Sequence, residues 1–218
     1  MEPLCDGVWA EPGLTANAHD ELRRAFGSAR RAITEAFGEL RGPAPLTLLC
    51  RSAACKVAFG ASPEAAPAQD LGFARDGLQT TAGFIARPTV VATGPGPRTA
   101  RILAHEFVHA EMKAWLPYDS LPTWFNEGVA TLLAGEPDCD AHPRLLSFDV
   151  TALDTKSKWQ AHIQRRRASI PTYCQARDRV AAWAVRFGGP SALAPALRAV
   201  LGAVADGGSF DQAFAGGG

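Results

Sequence analysis

The feature that most constrains this chain is the stretch 101–131, RILAHEFVHAEMKAWLPYDSLPTWFNEGVAT. Its first half contains His105-Glu106-Phe107-Val108-His109, an H-E-x-x-H motif. Its second half contains Trp124-Phe125-Asn126-Glu127-Gly128, with Glu127 eighteen positions beyond His109. On a helix, residues four apart lie on one face, so His105 and His109 can bind one metal ion through their ring nitrogens. Glu106 lies about 100° further round the helix and points beside the metal. There a carboxylate can take a proton from an activated water and pass it to a leaving amine. Two imidazoles, one carboxylate ligand and a neighbouring acid are the equipment of a zinc-dependent peptidase.

Glu127 is the expected third ligand. Trp124, Phe125, Val129, Leu132 and Leu133 surround it in sequence. An acid among such residues is costly to bury unless it is paired or metal-bound. The loop between the two strings is short, so the two helices can lie side by side and leave a fourth coordination position open.

The rest of the chain reads as what builds and covers this site. Residues 1–15 look irregular. From Asn17 to Leu40 the apolar residues Leu22, Phe26, Ala29, Ile33, Phe37 and Leu40 recur in steps of three and four, the signature of a long amphipathic helix. Gly42-Pro43 ends it. Pro45 to Cys50 is an apolar run that predicts a strand, and Lys56 to Phe59 is a weaker second one. Residues 60–70 read as a surface loop. Leu78 to Ala86 and Thr89 to Thr93 are β-rich and predict neighbouring strands of one small sheet. Thr99 is a candidate N-cap for a helix to Trp115, stopped by Pro117. A second helix is predicted over Thr123 to Ala134, with Gly135 as C-cap. Residues 136–152 read as loop. Helices follow near 154–168, 172–187 and 191–205, then a short turn from Phe210 to Phe214. The expected fold class is α+β: one domain over 1–218, its sheet-containing part about 1–98 and its helical part about 99–218.

Composition narrows the partners. Lys plus Arg and Asp plus Glu number 22 each among 218 residues. That balance gives no reason to expect a nucleic-acid or membrane-surface partner. The run Arg165-Arg166-Arg167 reads as a solvated helix face. No stretch approaches the roughly 18–20 apolar residues of a membrane span. The first fifteen residues lack the apolar core of a signal peptide. The expected compartment is therefore cytoplasmic for a complete chain, and periplasmic or secreted for a mature form. Of the five cysteines, Cys50 and Cys55 are close enough for a disulfide, with buried free thiols as the alternative. Cys5, Cys139 and Cys174 are scattered, and no C-x-x-C pair suggests a structural zinc knuckle.

H-E-x-x-H followed by Pro122-Thr-Trp124-Phe-Asn126-Glu127-Gly128-Val-Ala130 resembles the gluzincin metallopeptidases, in particular the peptidase MA-like families. The specific match covers about residues 100–135. Weaker similarity extends from residue 45, through Cys50, Cys55, Phe59 and Gly60, to the C-terminal Gly-Ser-Phe-Asp-x-Ala-Phe. The resemblance implies a zincin-like fold, one zinc ion bound by His105, His109 and Glu127, Glu106 as general base, and a peptide or protein substrate. It also implies a tyrosine or histidine downstream that stabilises the oxyanion. Tyr173, at the start of a C-terminal helix, is the candidate, with Tyr118, His142 and His162 behind it. The chain departs from the thermolysin-like branch at Thr131, where that branch carries an aspartate that orients a zinc histidine. Peptidases of this type bind extended peptide along a sheet edge, for which Thr89 to Thr93, or the strand before it, is the candidate. A second reading keeps the metal but not the turnover: a zinc-binding, catalytically weak or inactive peptidase-fold protein that serves as a partner-binding module. A third, a helical interaction domain with an accidental motif, predicts no stoichiometric zinc.

Overall fold

The structure, a computed structural model, describes residues 1–66, 72–75, 78–80, 83–85, 88–117, 120–136, 138–141, 148–166 and 169–216. The chain divides into two compact units. The first comprises Met1–Ile33 and Leu40–Glu111, the second Thr34–Glu39 and Met112–Gly218.

The first unit is built on a five-stranded mixed sheet. Its strands are β1 (Glu2–Cys5), β2 (Val8–Ala10), β3 (Leu46–Cys50), β4 (Gly72–Arg75) and β7 (Thr89–Thr93), in the order β1-β2-β3-β7-β4. β2, β3 and β7 run parallel, and β1 and β4 pair antiparallel to the edges of that trio. Leu48, Leu49 and Cys50 on β3, and Val90, Val91 and Ala92 on β7, are all buried, as expected of strands covered on both faces. One face gathers Leu48, Cys50 and Val91 with Leu46, Phe73, Cys55 and Phe59. Helix α1 (Ala16–Phe37) buries Leu22, Ala29 and Ile33 of the stripe its periodicity predicts, and Ala25 as well. Phe26 meets Phe107 of helix α3 (Thr99–Trp115) edge-on at 5.7 Å between ring centres. The buried Glu111 of α3 accepts hydrogen bonds from the Arg41 (2.8 Å) and Gly42 (3.4 Å) amides, so it fixes the connection between α1 and β3.

Several expectations change here. Residues 1–15 are not irregular: Asp6-Gly7 turns the chain between β1 and β2, with Gly7 at a φ of 70° that favours glycine. Lys56 to Phe59 is no strand. Ala53–Ala58 form helix α2, whose first turn is capped by Ser52 accepting from the Cys55 amide at 3.0 Å. The Cys50–Cys55 disulfide ties α2 to β3. The β-rich run before Thr89 does not join the main sheet. It forms β5 (Leu78–Thr80) and β6 (Gly83–Ile85), a separate antiparallel pair. β7 lies between β3 and β4, so Thr89 to Thr93 is an interior strand. Among the described residues the edge on that side is β4.

The second unit is helical. Helix α4 (Thr123–Ala134) is followed by α5 (Asp138–Ala141), a 3-10 turn at Val150–Ala152, α6 (Lys156–Arg166), α7 (Ser169–Val185), α8 (Pro190–Ala205) and α9 (Phe210–Gly216). Residues Thr123–Thr131 of α4 are all buried. Pro122 precedes α4 without a side-chain cap. The orphan amides of a first turn need acceptors, and here the Thr123 and Trp124 amides donate to the carbonyls of Asp154 (2.7 Å) and Leu153 (3.2 Å). Gly135 ends α4 in the left-handed conformation at a φ of 66°, as predicted. α4 packs closely along α7: a Cβ on Gly128 would stand 2.6 Å from the Ala176 carbonyl oxygen. Trp124, Phe125, Trp183, Phe210 and Phe214 form one aromatic cluster that docks α9. A second disulfide, Cys139–Cys174, joins α5 to α7, which the scattered spacing did not indicate. Cys5 is a free, exposed thiol.

Candidate metal centre

Helix α3 opens after the turn-rich Gly94-Pro95-Gly96-Pro97. Thr99 does not cap it. Thr99 is already helical, and its hydroxyl donates back to the Thr93 carbonyl at 3.4 Å. Leu103, Ala104, Phe107 and Val108 are buried and set the helix's rotation. His105 and His109 then share a face, their rings edge-on with centres 4.7 Å apart. The two Nε2 atoms are 3.0 Å apart. Glu106 is also buried, with 7 % of its surface exposed.

Glu127 lies on the buried stretch of α4 and is 9 % exposed. Asn126 beside it is buried too. Thr131 does not support a histidine through its proton. Its hydroxyl donates to the Glu127 carbonyl at 2.7 Å, the one-turn back-bond that Ser and Thr make within helices. The oxygen's lone pairs are what it has left to offer.

The ligand atoms of His105, His109 and Glu127 all lie within 4.8 Å of one another. This group could hold a metal ion. The donor set suits one: two imidazole nitrogens and one carboxylate oxygen are the three protein ligands typical of a catalytic zinc site with an open fourth position. The spacing suits it as well. Nitrogens at about 2.0–2.1 Å from a tetrahedral zinc sit roughly 3.3 Å from each other, and the histidine pair stands at 3.0 Å.

No protein-family model, curated protein or solved structure matches the chain.

The remaining expected residues fall as follows. Tyr173 lies in the second turn of α7, half-buried, with its ring edge-on to Trp159 at 5.1 Å. Its neighbour Cys174 is held by the disulfide to Cys139. His162 on α6 lies against Phe148, ring centres 4.2 Å apart. Tyr118 and His142 lie outside the described residues. Sequence reasoning missed one residue beside the motif. A Cβ on Gly72 of β4 would stand 2.9 Å from Glu106 Oε1 and 3.0 Å from Glu106 Cγ. The available signal was a glycine inside a strand, which often marks a close approach of the backbone to another group.

Among the described residues, no helix is long and apolar enough to cross a membrane.

Proposed function

We propose that this protein is a zinc-dependent peptidase of gluzincin type with a zincin-like fold. The observation that carries the reading is the convergence of His105, His109 and Glu127 with a buried carboxylate, Glu106, next to the first ligand. His105, His109 and Glu127 would hold the ion. Bound zinc supplies Lewis acidity toward water and toward a carbonyl oxygen. Glu106 accepts the proton of the attacking water on a carboxylate oxygen as the water oxygen bonds to the peptide carbon. It then delivers that proton to the amine nitrogen as the C–N bond breaks. Burial excludes solvent from Glu106 and keeps the transferred proton on this path. Tyr173 is the proposed donor to the developing oxyanion through its phenol. The substrate is an extended peptide, and β4, the edge on that side among the described residues, takes the place expected of Thr89–Thr93 or the strand before it.

The test is Glu106→Gln, which keeps the shape and removes the base. Zinc content measured by atomic absorption should stay at one ion per chain. Hydrolysis of fluorescently labelled casein should fall by roughly 10²–10⁴-fold, the range general acid–base catalysis contributes. A Glu106→Gln protein that cleaves casein at the wild-type rate overturns the mechanism. A wild-type protein that holds zinc and cleaves nothing supports the partner-binding reading instead.

A further inference from the structure

We propose that Gly72 is a positioning residue: the side chain it lacks leaves the space that the Glu106 carboxylate occupies, and β4 thereby sets the carboxylate's direction. The inference rests on the reading of Glu106 as the base. Its geometry lies entirely within the first unit.

A Cβ on residue 72 would meet three atoms: Ile102 Cγ2 at 2.5 Å, Glu106 Oε1 at 2.9 Å and Glu106 Cγ at 3.0 Å. Contacts this short require something to move. β4 is held by its ladder to β7, where Gly72 faces Ala92. Ile102 is β-branched on a helix, so one χ1 rotamer is strongly preferred. Glu106 is the softer neighbour. Because its Cγ is crowded as well as its oxygen, relief takes more than a twist of the terminal carboxylate. The carboxylate must swing aside and the Cγ must give by a few tenths of an ångström with it, while the helix restricts where the side chain can go. Any side chain at 72 therefore turns Glu106 away from where it now points. A misplacement of about 1 Å at a reacting group costs on the order of 10²-fold in rate.

Two contacts must be separated, and Ile102→Ala separates them because it removes Cγ2 and leaves Glu106 in place. Four proteins, wild type, Ile102→Ala, Gly72→Ala and the Gly72→Ala/Ile102→Ala double variant, are compared, each with and without Glu106→Ala. The first readout is the thermal unfolding midpoint of the metal-free proteins. In the Ile102→Ala background, Gly72→Ala should lower the midpoint with Glu106 present, and by less than half as much once Glu106 is truncated. The second readout is cleavage of labelled casein by the zinc-loaded proteins. Gly72→Ala/Ile102→Ala should be about 10²-fold slower than Ile102→Ala with equal zinc content. Equal midpoint losses with and without Glu106 overturn the proposal, as does an undiminished casein rate in the double variant of a protein whose parent is active. Coupling between positions 72 and 106 without casein cleavage by wild type leaves Gly72 as the group that orients Glu106, and removes the peptidase reading alone.

Discussion

Single atoms decide much at two positions. Gly128 follows the proposed ligand Glu127, and a Cβ there would stand 2.6 Å from the Ala176 carbonyl oxygen and 2.8 Å from Val180 Cγ2. The obstruction is backbone on one side, so it cannot rotate away. Gly128→Ala should destabilise the protein by about 1–3 kcal/mol, the usual cost of overpacking, despite alanine's better helix propensity. A lower urea midpoint at unchanged m-value would show it, and an unchanged midpoint would mean that α4 and α7 can part at no cost. Tyr173 poses the opposite question. Its ring is accounted for by Trp159, so Tyr173→Phe should keep the fold. If the phenol donates to the oxyanion, casein turnover falls roughly 10²–10³-fold with kcat reduced and KM little changed. An unaltered kcat removes Tyr173 from the mechanism. At this scale the grouping of His105, His109 and Glu127 was legible because helical geometry fixes what i and i+4 can do, and because an acid within Trp-Phe-Asn-Glu-Gly has few inexpensive fates. Gly72 was not legible: its meaning lies in a contact with Glu106 across thirty-four positions of chain (106 less 72).

Among the elements, local chemistry was readable where a period or a cap stood alone, and misleading where a cross-link overrode propensity. α3 and α4 followed their apolar stripes and stops; α1 followed its stripe but ends at Phe37, before Gly38 at a φ of 73° and short of the expected Leu40 and Gly42-Pro43. α2 did not, because Lys56 to Phe59 is too short for its period to be told from a strand's. Ser52 caps α2 and the Cys50 bridge fastens it. The β1–β2 hairpin had its Asp-Gly turn in plain view, but strands of four and three residues containing Glu2 and Pro3 carry little β signal. Cys139–Cys174 spans 35 positions, and spacing alone cannot choose among five cysteines. The start of α2 also carries a pH dependence. Glu11 accepts from the Arg51 and Ser52 amides at 2.7 Å each. Partial burial acts to raise its pKa, but the hydrogen bonds from Ser52 and Arg51 outweigh it and hold the carboxyl below its ordinary 4.5. A folded pKa below the unfolded one means stability that is present above about pH 4.5 and lost as pH falls through the depressed value. Glu11→Gln should therefore lower stability at neutral pH, and the difference from wild type should shrink between pH 5 and pH 3. Urea midpoints across that range check it. A difference that stays constant with pH would show that the carboxylate's charge contributes nothing there.

For the whole molecule, the proposed ion is a thermodynamic ligand as well as a catalytic one. Anything that binds the folded chain and not the unfolded one stabilises it by RT ln(1 + [L]/Kd), about 4 kcal/mol at a thousandfold excess over Kd. Domains are stable by only about 5–15 kcal/mol, so that is a large fraction. For chains of about this length each kcal/mol moves the midpoint by roughly 2–4 °C. Zinc added to chelator-treated protein should accordingly raise the thermal midpoint by roughly 8–16 °C. The ligand assignment then makes a pattern. His105→Ala, His109→Ala and Glu127→Ala should each lose most of the zinc-induced shift, because three protein ligands fall to two. Glu106→Gln should keep it, because the proposed assignment leaves Glu106 out of the ligand set. Glu127→Ala decides most, since its side chain is separated from the histidine motif in sequence and joins it only through the fold. A Glu127→Ala protein with the full wild-type zinc shift would show two histidines binding alone. The gluzincin reading would then fall whatever the activity of the wild-type protein.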